Sequence, residues 1–350
     1  MDIDLNRKML KVTEESERVI SPKETVAIAA TSLEDLNITL EQDIKNFDSL
    51  FWASAVTPNS PASVPGIRMG GKGLSKEQCL ASGYMEFVER WSMYRNDVFH
   101  KEEYKCLDLR DNFTYSMKPV LELRNTKCMA AGNNYEEAVL HCLHELIETR
   151  TSINSNFQAC RVVSIDDLFP EMPQWIKDSV LLVLSPTWKK EFYKFTAIQY
   201  PFNREFDNRQ MFKISKSKGR ISIKPGNVES KAHSPNSGGA AGLNPRKTAL
   251  RAINEIFQFQ NMVDDFKGGK RKPLSDDIQV AETETFINYE TESITDDIKL
   301  ILRLLGDDVF TGIIDLTDEQ LNIPVVKLIS DWDPNRSLVS KEVLGEFFYI

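Results

Sequence analysis

The chain of 350 residues has a mass of 40.0 kDa and an apolar content of 41%, which is enough for one large domain or two ordinary ones. Its formal net charge of −9 and isoelectric point of about 5.2 do not favour a general nucleic-acid-binding or membrane-surface protein. No apolar run approaches the roughly 20 residues that a membrane helix needs, and the N-terminal MDIDLNRKML lacks the apolar stretch of a signal peptide. We therefore expect a cytoplasmic protein that binds neither nucleic acid nor membranes.

The elements predicted along the chain alternate between helices and strands. Residues 1–50 are polar with scattered hydrophobic side chains and indicate a helical or mixed lead-in. Helices are predicted at about 76–95, 134–152 and 245–264, and strands at 180–184, 196–200, 310–315 and 325–329. The segment 213–236 is rich in Lys, Ser and Gly, which predicts a mobile loop. Helices packed against sheets give an α+β fold.

The cysteines indicate a reducing compartment. Their number, five, is odd and no two of them form a CxxC pair, which argues against both a disulfide framework and a structural zinc site. Cys79 and Cys142 fall inside apolar helical patterns, where a buried thiol acts as a small hydrophobic side chain.

Three segments repeat one plan, in which a helical pattern follows a glycine and a glutamate lies 13 residues after that glycine. The segments are GLSKEQCLASGYMEFVERW from Gly73, GNNYEEAVLHCLHELIETR from Gly132 and GLNPRKTALRAINEIFQFQ from Gly242. Each glutamate is followed three residues later by another acidic or amide side chain, which gives the pairs Glu86 and Glu89, Glu145 and Glu148, and Glu255 and Gln258. A helix-capping residue type lies two positions after each glycine: Ser75, Asn134 and Asn244.

The side chains of each pair point in one direction, because positions i and i+3 share a helix face. A single pair of this kind is usually a solvated face. Here, however, apolar residues surround the pairs almost completely, which is typical of buried helices. Buried carboxylates must be neutralised, paired or bound to metal. If the three helices converge, the clustered oxygen ligands suit Mg²⁺ shared with substrate phosphates.

Small residues precede each of these helices. The stretches are RMGGKG before the first helix, AAGNN before the second and SGGAAG before the third. As glycine-rich loops they would let backbone N–H groups approach an anion, and Lys72 could reach a phosphate. None of them is a Walker A loop, which requires GxxxxGK[ST]. Together they favour a nucleotide site more strongly than any one of them alone.

The repeated segments resemble the signatures of the YcaO family. GKGLSKEQCLASGYMEFVERWS is similar to the first signature, AGNNYEEAVLHCLHELIE to the second and GGAAGLNPRKTALRAINEIFQ to the third. IPVVKLISDWDP resembles the strand that follows them. The four occur in family order and cover roughly residues 66–335. The resemblance implies a YcaO-type α+β fold of three related helix-plus-strand units around a nucleotide site, with a lead-in at 1–65 and a catalytic domain at 66–350.

The family likeness also implies an activity. YcaO proteins bind ATP through a non-Walker site with Mg²⁺ and phosphorylate the oxygen of a peptide backbone amide. In cyclodehydratases a neighbouring side chain of the substrate then attacks, giving azolines; in thioamide-forming members an external sulfide donor attacks. No catalytic protein nucleophile is implied, because positioning and charge neutralisation carry phosphoryl transfer.

Motif positions carry the family's site residues onto this chain. The resemblance implies that Glu86, Glu89, Glu137, Glu145 and Glu148 hold the metal ions. The cofactor-binding set adds phosphate and nucleotide contacts to these five, namely Lys72, Ser82, Arg90, Asn133, Glu255 and Gln258.

Three departures from the family pattern bear on the product and on activity. Thr149 and Gln260 replace residues that the second and third signatures usually carry. The sequence ends GEFFYI and lacks the Pro-rich tail of many azoline-forming members, which shifts weight toward thioamide formation or a divergent subgroup. The alternative function is a non-catalytic nucleotide-binding scaffold for a partner enzyme. The resemblance further implies a peptide or protein substrate and a separate protein that presents substrate or delivers sulfur, and it leaves a homodimer open.

Overall fold

The computed structural model describes residues 3–13, 17–47, 51–59, 69–96, 102–118, 127–154, 161–199, 212–217, 220–225, 237–262 and 285–332. In this part of the chain no helix has the length and apolar character needed to cross a bilayer. Contacts divide the chain into two compact units. The first comprises Met1–Arg150 and Thr291–Ile350, and the second comprises Thr151–Glu290.

The helices and strands follow in chain order. The helices are α1 (Pro22–Glu34), α2 (Lys76–Arg95), α3 (Tyr135–Asn154), α4 (Ile165–Leu168), α5 (Gln174–Lys177), α6 (Pro245–Met262) and α7 (Ile294–Leu305). The strands are β1 (Leu40–Phe47), β2 (Phe51–Pro58), β3 (Met69–Gly73), β4 (Tyr104–Asp108), β5 (Thr114–Met117), β6 (Met129–Ala131), β7 (Arg161–Val163), β8 (Val180–Ser185), β9 (Tyr193–Gln199), β10 (Phe212–Ser217), β11 (Arg220–Pro225), β12 (Ser237–Gly242), β13 (Thr311–Asp315) and β14 (Val325–Ser330).

Two antiparallel sheets form the first unit. One has the order β1-β2-β3, and the other has the order β5-β4-β13-β14-β6. Helix α2 packs against β2, β3 and β6 and also against α1. Its buried side chains, among them Phe87, Val88 and Trp91, join residues of both sheets in one core cluster. The helix that carries the first acidic pair is therefore buried over most of its surface, as its sequence predicts.

Helix α2 begins where the sequence indicates. Ser75 is its N-cap, and the Ser75 hydroxyl accepts a hydrogen bond from the Gln78 N–H (3.1 Å). This bond satisfies one of the backbone donors that a helix leaves open at its first turn. In α3 the Asn134 side chain has the same role and accepts from the Glu137 N–H (2.8 Å). In α6 the Asn244 side chain accepts from the Lys247 N–H (3.1 Å).

Helix α7 packs its apolar face into the first unit. Ile294, Ile298, Ile301 and Leu305 are buried at helical spacing. The helix ends before Gly306, which has a φ of 112° that favours glycine. The apolar face of α7 is therefore buried in the first unit.

The second unit is a sheet with one long helix. Its antiparallel strands have the order β12-β9-β8-β7, and α6 packs against β8, β9 and β12. Buried Phe195, Ile253 and Ile256 belong to its core. Strands β10 and β11 form a hairpin, so the prediction of a mobile loop over 213–236 was wrong for these strands. In RISIK, Ile alternates with polar residues, which matches the two-residue period of a strand.

The fold class is confirmed as α+β. The three long helices lie within two residues of their predicted limits, and each predicted strand overlaps an observed one. The proposed lead-in at 1–65 contains α1, β1 and β2, and β2 pairs with β3. The division at residue 65 and the arrangement of three related units around one site remain predictions.

Candidate functional site

The first acidic pair lies on one face of α2. Glu86 and Glu89 are half-buried, and the Glu86 carboxylate forms an ion pair with Arg90 (Nη2–Oε1 3.5 Å). Ser82 is also half-buried and lies one turn before Glu86, so it shares that face. Four of the candidate site residues are therefore gathered on one helix.

Backbone donors beside β6 connect the first pair to the second. The Ala131 N–H donates to Glu89 Oε1 (3.0 Å), and the Cys128 N–H donates to Glu145 Oε2 (2.6 Å). Both acceptors are half-buried side chains, one on α2 and one on α3. Helices α2 and α3 thus direct a carboxylate to the same short strand.

The carboxylates at β6 repel one another. Burial raises the pKa of Glu89 well above its usual value, and the charges of Glu86 and Glu145 raise it further. The bond from Ala131 and the charge of Arg90 oppose this shift. The structure therefore brings Glu86 and Glu89 of the first pair close to Glu145 of the second. A proton or a cation must balance the negative charge of this cluster.

Glu137 is held by several donors. The Asn133 side-chain amide donates to both carboxylate oxygens (2.9 and 3.0 Å), and the Val19 N–H donates to Oε2 (3.2 Å). Arg18 pairs with Oε1 at 3.0 Å. The sequence placed Asn133 and Glu137 together but gave no indication of Arg18, because a contact over more than a hundred residues leaves no local pattern.

The remaining candidates in the first unit lie on β3 and α3. Lys72 lies on β3 opposite Ala53 of β2, and its side chain is half-buried. Glu148 is half-buried one turn after Glu145 on α3. Thr149, one of the departures from the family pattern, is also half-buried. Gln260 is the other departure from the family pattern, and its side chain lies outside the described residues. Arg68 and the C-terminal GEFFYI also lie outside them.

Two of the three glycine-rich stretches are strands rather than loops, which corrects the prediction, whereas Gly132, Asn133 and Asn134 of AAGNN do lie in a loop after β6. RMGGKG contributes β3, and SGGAAG is β12. A Cβ on Gly71 would lie 2.1 Å from the Cys79 carbonyl oxygen, and one on Gly238 would lie 2.1 Å from the Ala252 carbonyl oxygen. Close packing of a helix on its preceding strand therefore accounts for these two glycines.

The thiols near the site are poor metal ligands at neutral pH. Burial raises the pKa of Cys128 to about 12 and also raises that of Cys142 well above its usual value. The nearby Glu145 carboxylate adds to both shifts, and Lys327 opposes them. Lys327 is a buried cation, and its ammonium donates to the Lys127 carbonyl. The donor set beside β6 is therefore made of oxygens.

The third segment lies in the second unit. Glu255 Oε2 accepts a hydrogen bond from the Gly239 N–H (2.6 Å), and Gln258 follows one turn later on α6. Both side chains are half-buried. Convergence of this pair with the first two remains a prediction. Within the described ranges, no three His, Cys, Asp or Glu side chains are arranged as a ready-made metal site.

Comparison with solved structures identifies the fold. No protein-family model matches the sequence, and no curated protein matches it by sequence. The structure of YcaO from Methanopyrus kandleri bound with AMPPCP and Mg²⁺ is similar at a TM-score of 0.65 and 17% identity, over 92% of this chain and 93% of that one. The chain has the YcaO fold.

A second structure, a heterocyclase in complex with substrate and cofactor, has the same fold. Its TM-score is 0.63 and its identity 16%, over 93% of this chain. The match covers 53% of the heterocyclase, so this chain spans about half of that protein's length.

Proposed function

We propose that this protein is a YcaO-type enzyme that uses ATP and Mg²⁺ to activate peptide backbone amides. The observation that carries the proposal is the cluster of Glu86, Glu89 and Glu145 carboxylates, in which burial and like charges raise the pKa of Glu89. It lies on a fold also found in a protein solved with AMPPCP and Mg²⁺. Ring-forming chemistry is supported by the heterocyclase of the same fold, which was solved with its substrate and cofactor.

The residues fit the cations that the proposal requires. Mg²⁺ prefers oxygen ligands and usually binds one or two carboxylates together with substrate phosphates and water. Asn133 would orient Glu137 through its two hydrogen bonds. The side chains that would hold the ions are Glu86, Glu89, Glu137, Glu145 and Glu148.

The chemistry that ATP supplies when bound is phosphorylation of the amide oxygen, which makes the carbonyl carbon electrophilic. The side chains contribute positioning and charge. Glu89 must be deprotonated to act as a ligand, so its raised pKa couples ion binding to loss of a proton. Cys128 and Cys142 hold their protons at neutral pH and are not suited to act as nucleophiles. Lys72, Ser82, Arg90, Glu255 and Gln258 complete the proposed contacts to the nucleotide.

The proposal is tested by removing single carboxylate charges. Glu86→Gln and Glu145→Gln should each lower ATP turnover roughly 100-fold, the usual effect of removing one group that stabilises developing charge. They should also abolish the rise in melting temperature that AMPPCP and Mg²⁺ produce. Glu77→Gln is the matched control, because Glu77 is an exposed acid in the first turn of α2. Wild-type turnover in both site variants would refute the proposal.

Peptide mass identifies the reaction product, and ATP turnover distinguishes the enzyme from the scaffold alternative. A peptide that loses about 18 Da has been dehydrated to an azoline, and one that gains about 16 Da has exchanged oxygen for sulfur. Binding of AMPPCP without ATP turnover, in the presence of a peptide and its partner protein, would support the scaffold. A cytoplasmic location, a partner protein and a homodimer belong to this proposal as well.

A further inference from the structure

A cavity of about 740 Å³ lies in the first unit beside α7. Its walls come from residues 3–6, from β4 and the turn that follows it, from Thr291 and from α7. None of the acidic side chains gathered at β6 lines it. The volume lies within the range of roughly 300–1,000 Å³ that encloses a drug-sized ligand. The cavity therefore has the size of a binding site.

Aliphatic side chains form much of the cavity wall. Ile3, Leu107, Leu109 and Leu302 are buried, and Leu300 is half-buried on the face of α7 that lines the cavity. A free inorganic anion gains nothing from such a wall, whereas a ligand with aliphatic groups gains about 25 cal/mol per Å² of apolar surface buried. The wall favours an occupant that is partly apolar.

The same face of α7 carries two cations. Lys299 and Arg303 are one turn apart and line the cavity. Within the part of the chain that the structure describes, neither forms a hydrogen bond or an ion pair. Arg110 also lines the cavity, but its guanidinium donates to the Leu302, Gly306 and Val309 carbonyls at the end of α7. Lys299 and Arg303 are therefore the cations available to a ligand.

Two acids moderate this charge. Asp296 lies one turn before Lys299 on α7, and Asp4 of the N-terminal segment also lines the cavity and accepts a hydrogen bond from the Asn6 N–H (2.9 Å). The whole chain is acidic, with a net charge of −9, so its overall field does not attract anions. Any attraction of an anionic ligand must arise locally, from Lys299 and Arg303.

We propose that this cavity docks an extended peptide segment in which acidic side chains alternate with aliphatic ones. The carboxylates pair with Lys299 and Arg303, and the aliphatic groups contact the wall of leucines and Ile3. Assigning this segment to the substrate rests on the proposed function. Docking of such a peptide does not depend on the proposed function.

The test is fluorescence anisotropy with a labelled peptide of alternating Leu and Glu, in the absence of nucleotide. Lys299→Gln/Arg303→Gln should weaken its binding roughly tenfold, because two exposed ion pairs contribute up to about 1 kcal/mol each. The matched control is Lys23→Gln/Lys105→Gln, which removes two exposed charges that do not line the cavity. The corresponding peptide of Leu and Gln should bind the wild type as weakly as the Leu–Glu peptide binds the double variant.

Reversing the charges at positions 299 and 303 distinguishes loss of peptide recognition from damage to the fold. Lys299→Glu/Arg303→Glu should bind a peptide of alternating Leu and Lys better than the wild type does. Glu89→Gln should leave anisotropy unchanged even where ATP turnover is lost, so the two proposals fail independently. Equal binding of the Leu–Glu and Leu–Gln peptides would overturn the docking proposal, and so would complete displacement of the Leu–Glu peptide by inorganic phosphate at constant ionic strength.

Discussion

Glu89 is the side chain on which the charge balance of the site depends. It accepts a hydrogen bond from the Ala131 N–H, and its pKa is raised first by burial and then by the charges of Glu86 and Glu145. A Gln at this position keeps an acceptor for the backbone donor but removes the repulsion. Repulsion among these carboxylates lowers the stability of the protein without ligands. A bound cation would attract all three carboxylates and so raise the stability.

Glu89→Gln should therefore raise the melting temperature of the protein without ligands and abolish the stabilisation by AMPPCP and Mg²⁺. Because the pKa in the folded state lies above the unfolded value, the wild type loses stability as the pH rises from the usual glutamate range through the raised pKa. This loss should be smaller in the variant. Differential scanning fluorimetry over pH measures both effects, with Glu77→Gln as the control. A variant that still gains stability from AMPPCP and Mg²⁺ would contradict the role of Glu89.

Lys11 and Asp297 form a buried ion pair in the first unit. Their Nζ and Oδ2 atoms are 2.5 Å apart, and their side chains are 4% and 1% exposed. Burial raises the pKa of Asp297, and Lys11 opposes this shift. The pair fastens the N-terminal segment beside α7, where the Leu10 backbone also bridges to Ser293.

Lys11→Met should cost about 3 kcal/mol of unfolding free energy at neutral pH, because it leaves a buried carboxylate without its cation. Adding Asp297→Asn should recover part of this loss. The cost should shrink at acidic pH, where Asp297 is protonated. Urea denaturation measures these values. Arg246→Gln, which breaks an exposed pair of the same length, should cost less than about 1 kcal/mol. Equal costs for the two single variants would show that burial of the Lys11 pair is unimportant.

At the scale of elements, glycine sets how closely α2 approaches β3. A Cβ on Gly71 would collide with backbone atoms, whereas one on Gly83 would meet the Ser54 hydroxyl at 3.1 Å, a side chain that can move. Both glycines lie in the same helix–strand contact, so they form a matched pair.

Gly71→Ala should destabilise the protein by about 3 kcal/mol, at the upper end of the usual cost of overpacking. Gly83→Ala should cost little, because alanine gains about 1 kcal/mol of helix propensity over glycine. Thermal unfolding of the two variants gives the comparison. If Gly71→Ala is as stable as Gly83→Ala, the packing of α2 on β3 is looser than the structure indicates.

The helices could be predicted from the sequence because the residues that determine a helix lie close together in the chain. The apolar surroundings and caps of α2, α3 and α6 are readable from neighbouring residues. The pairing of β13 with β4 and β14 is a long-range contact and left no such pattern. The same holds at the site: Glu86, Glu89 and Glu145 could be selected from their spacing, but Arg18 and the donors at Cys128 and Ala131 could not. The sequence did not distinguish glycines needed for close helix–strand packing, such as Gly71 and Gly238, from glycines of a phosphate-binding loop.

At the scale of the whole molecule, the first unit is discontinuous in sequence. Strands β13 and β14 lie between β4 and β6, so the five-stranded sheet needs residues from both ends of the chain. Ile329, Leu316 and Val325 also belong to the core that covers α2. The second unit occupies the sequence between these two parts.

A chain ending at residue 290 should therefore lose the first unit while it retains structure in the second. Amide hydrogen exchange should find α2 unprotected and α6 still protected. Supplying residues 285–350 as a separate polypeptide should restore some protection to α2. Full protection of α2 in the truncated chain would contradict the central position of β13 and β14.

The central position of these two strands also governs how the protein matures on the ribosome. In the folded sheet, β13 and β14 lie between β4 and β6. While residues 151–290 are being synthesised, β4 and β6 already exist, but β13 and β14 do not. The open edges of β4 and β6 can pair with other nascent chains, which makes this interval the one most prone to aggregation. Slower translation of the middle of the message would prolong that exposure, and a chaperone that shields strand edges would act most usefully there.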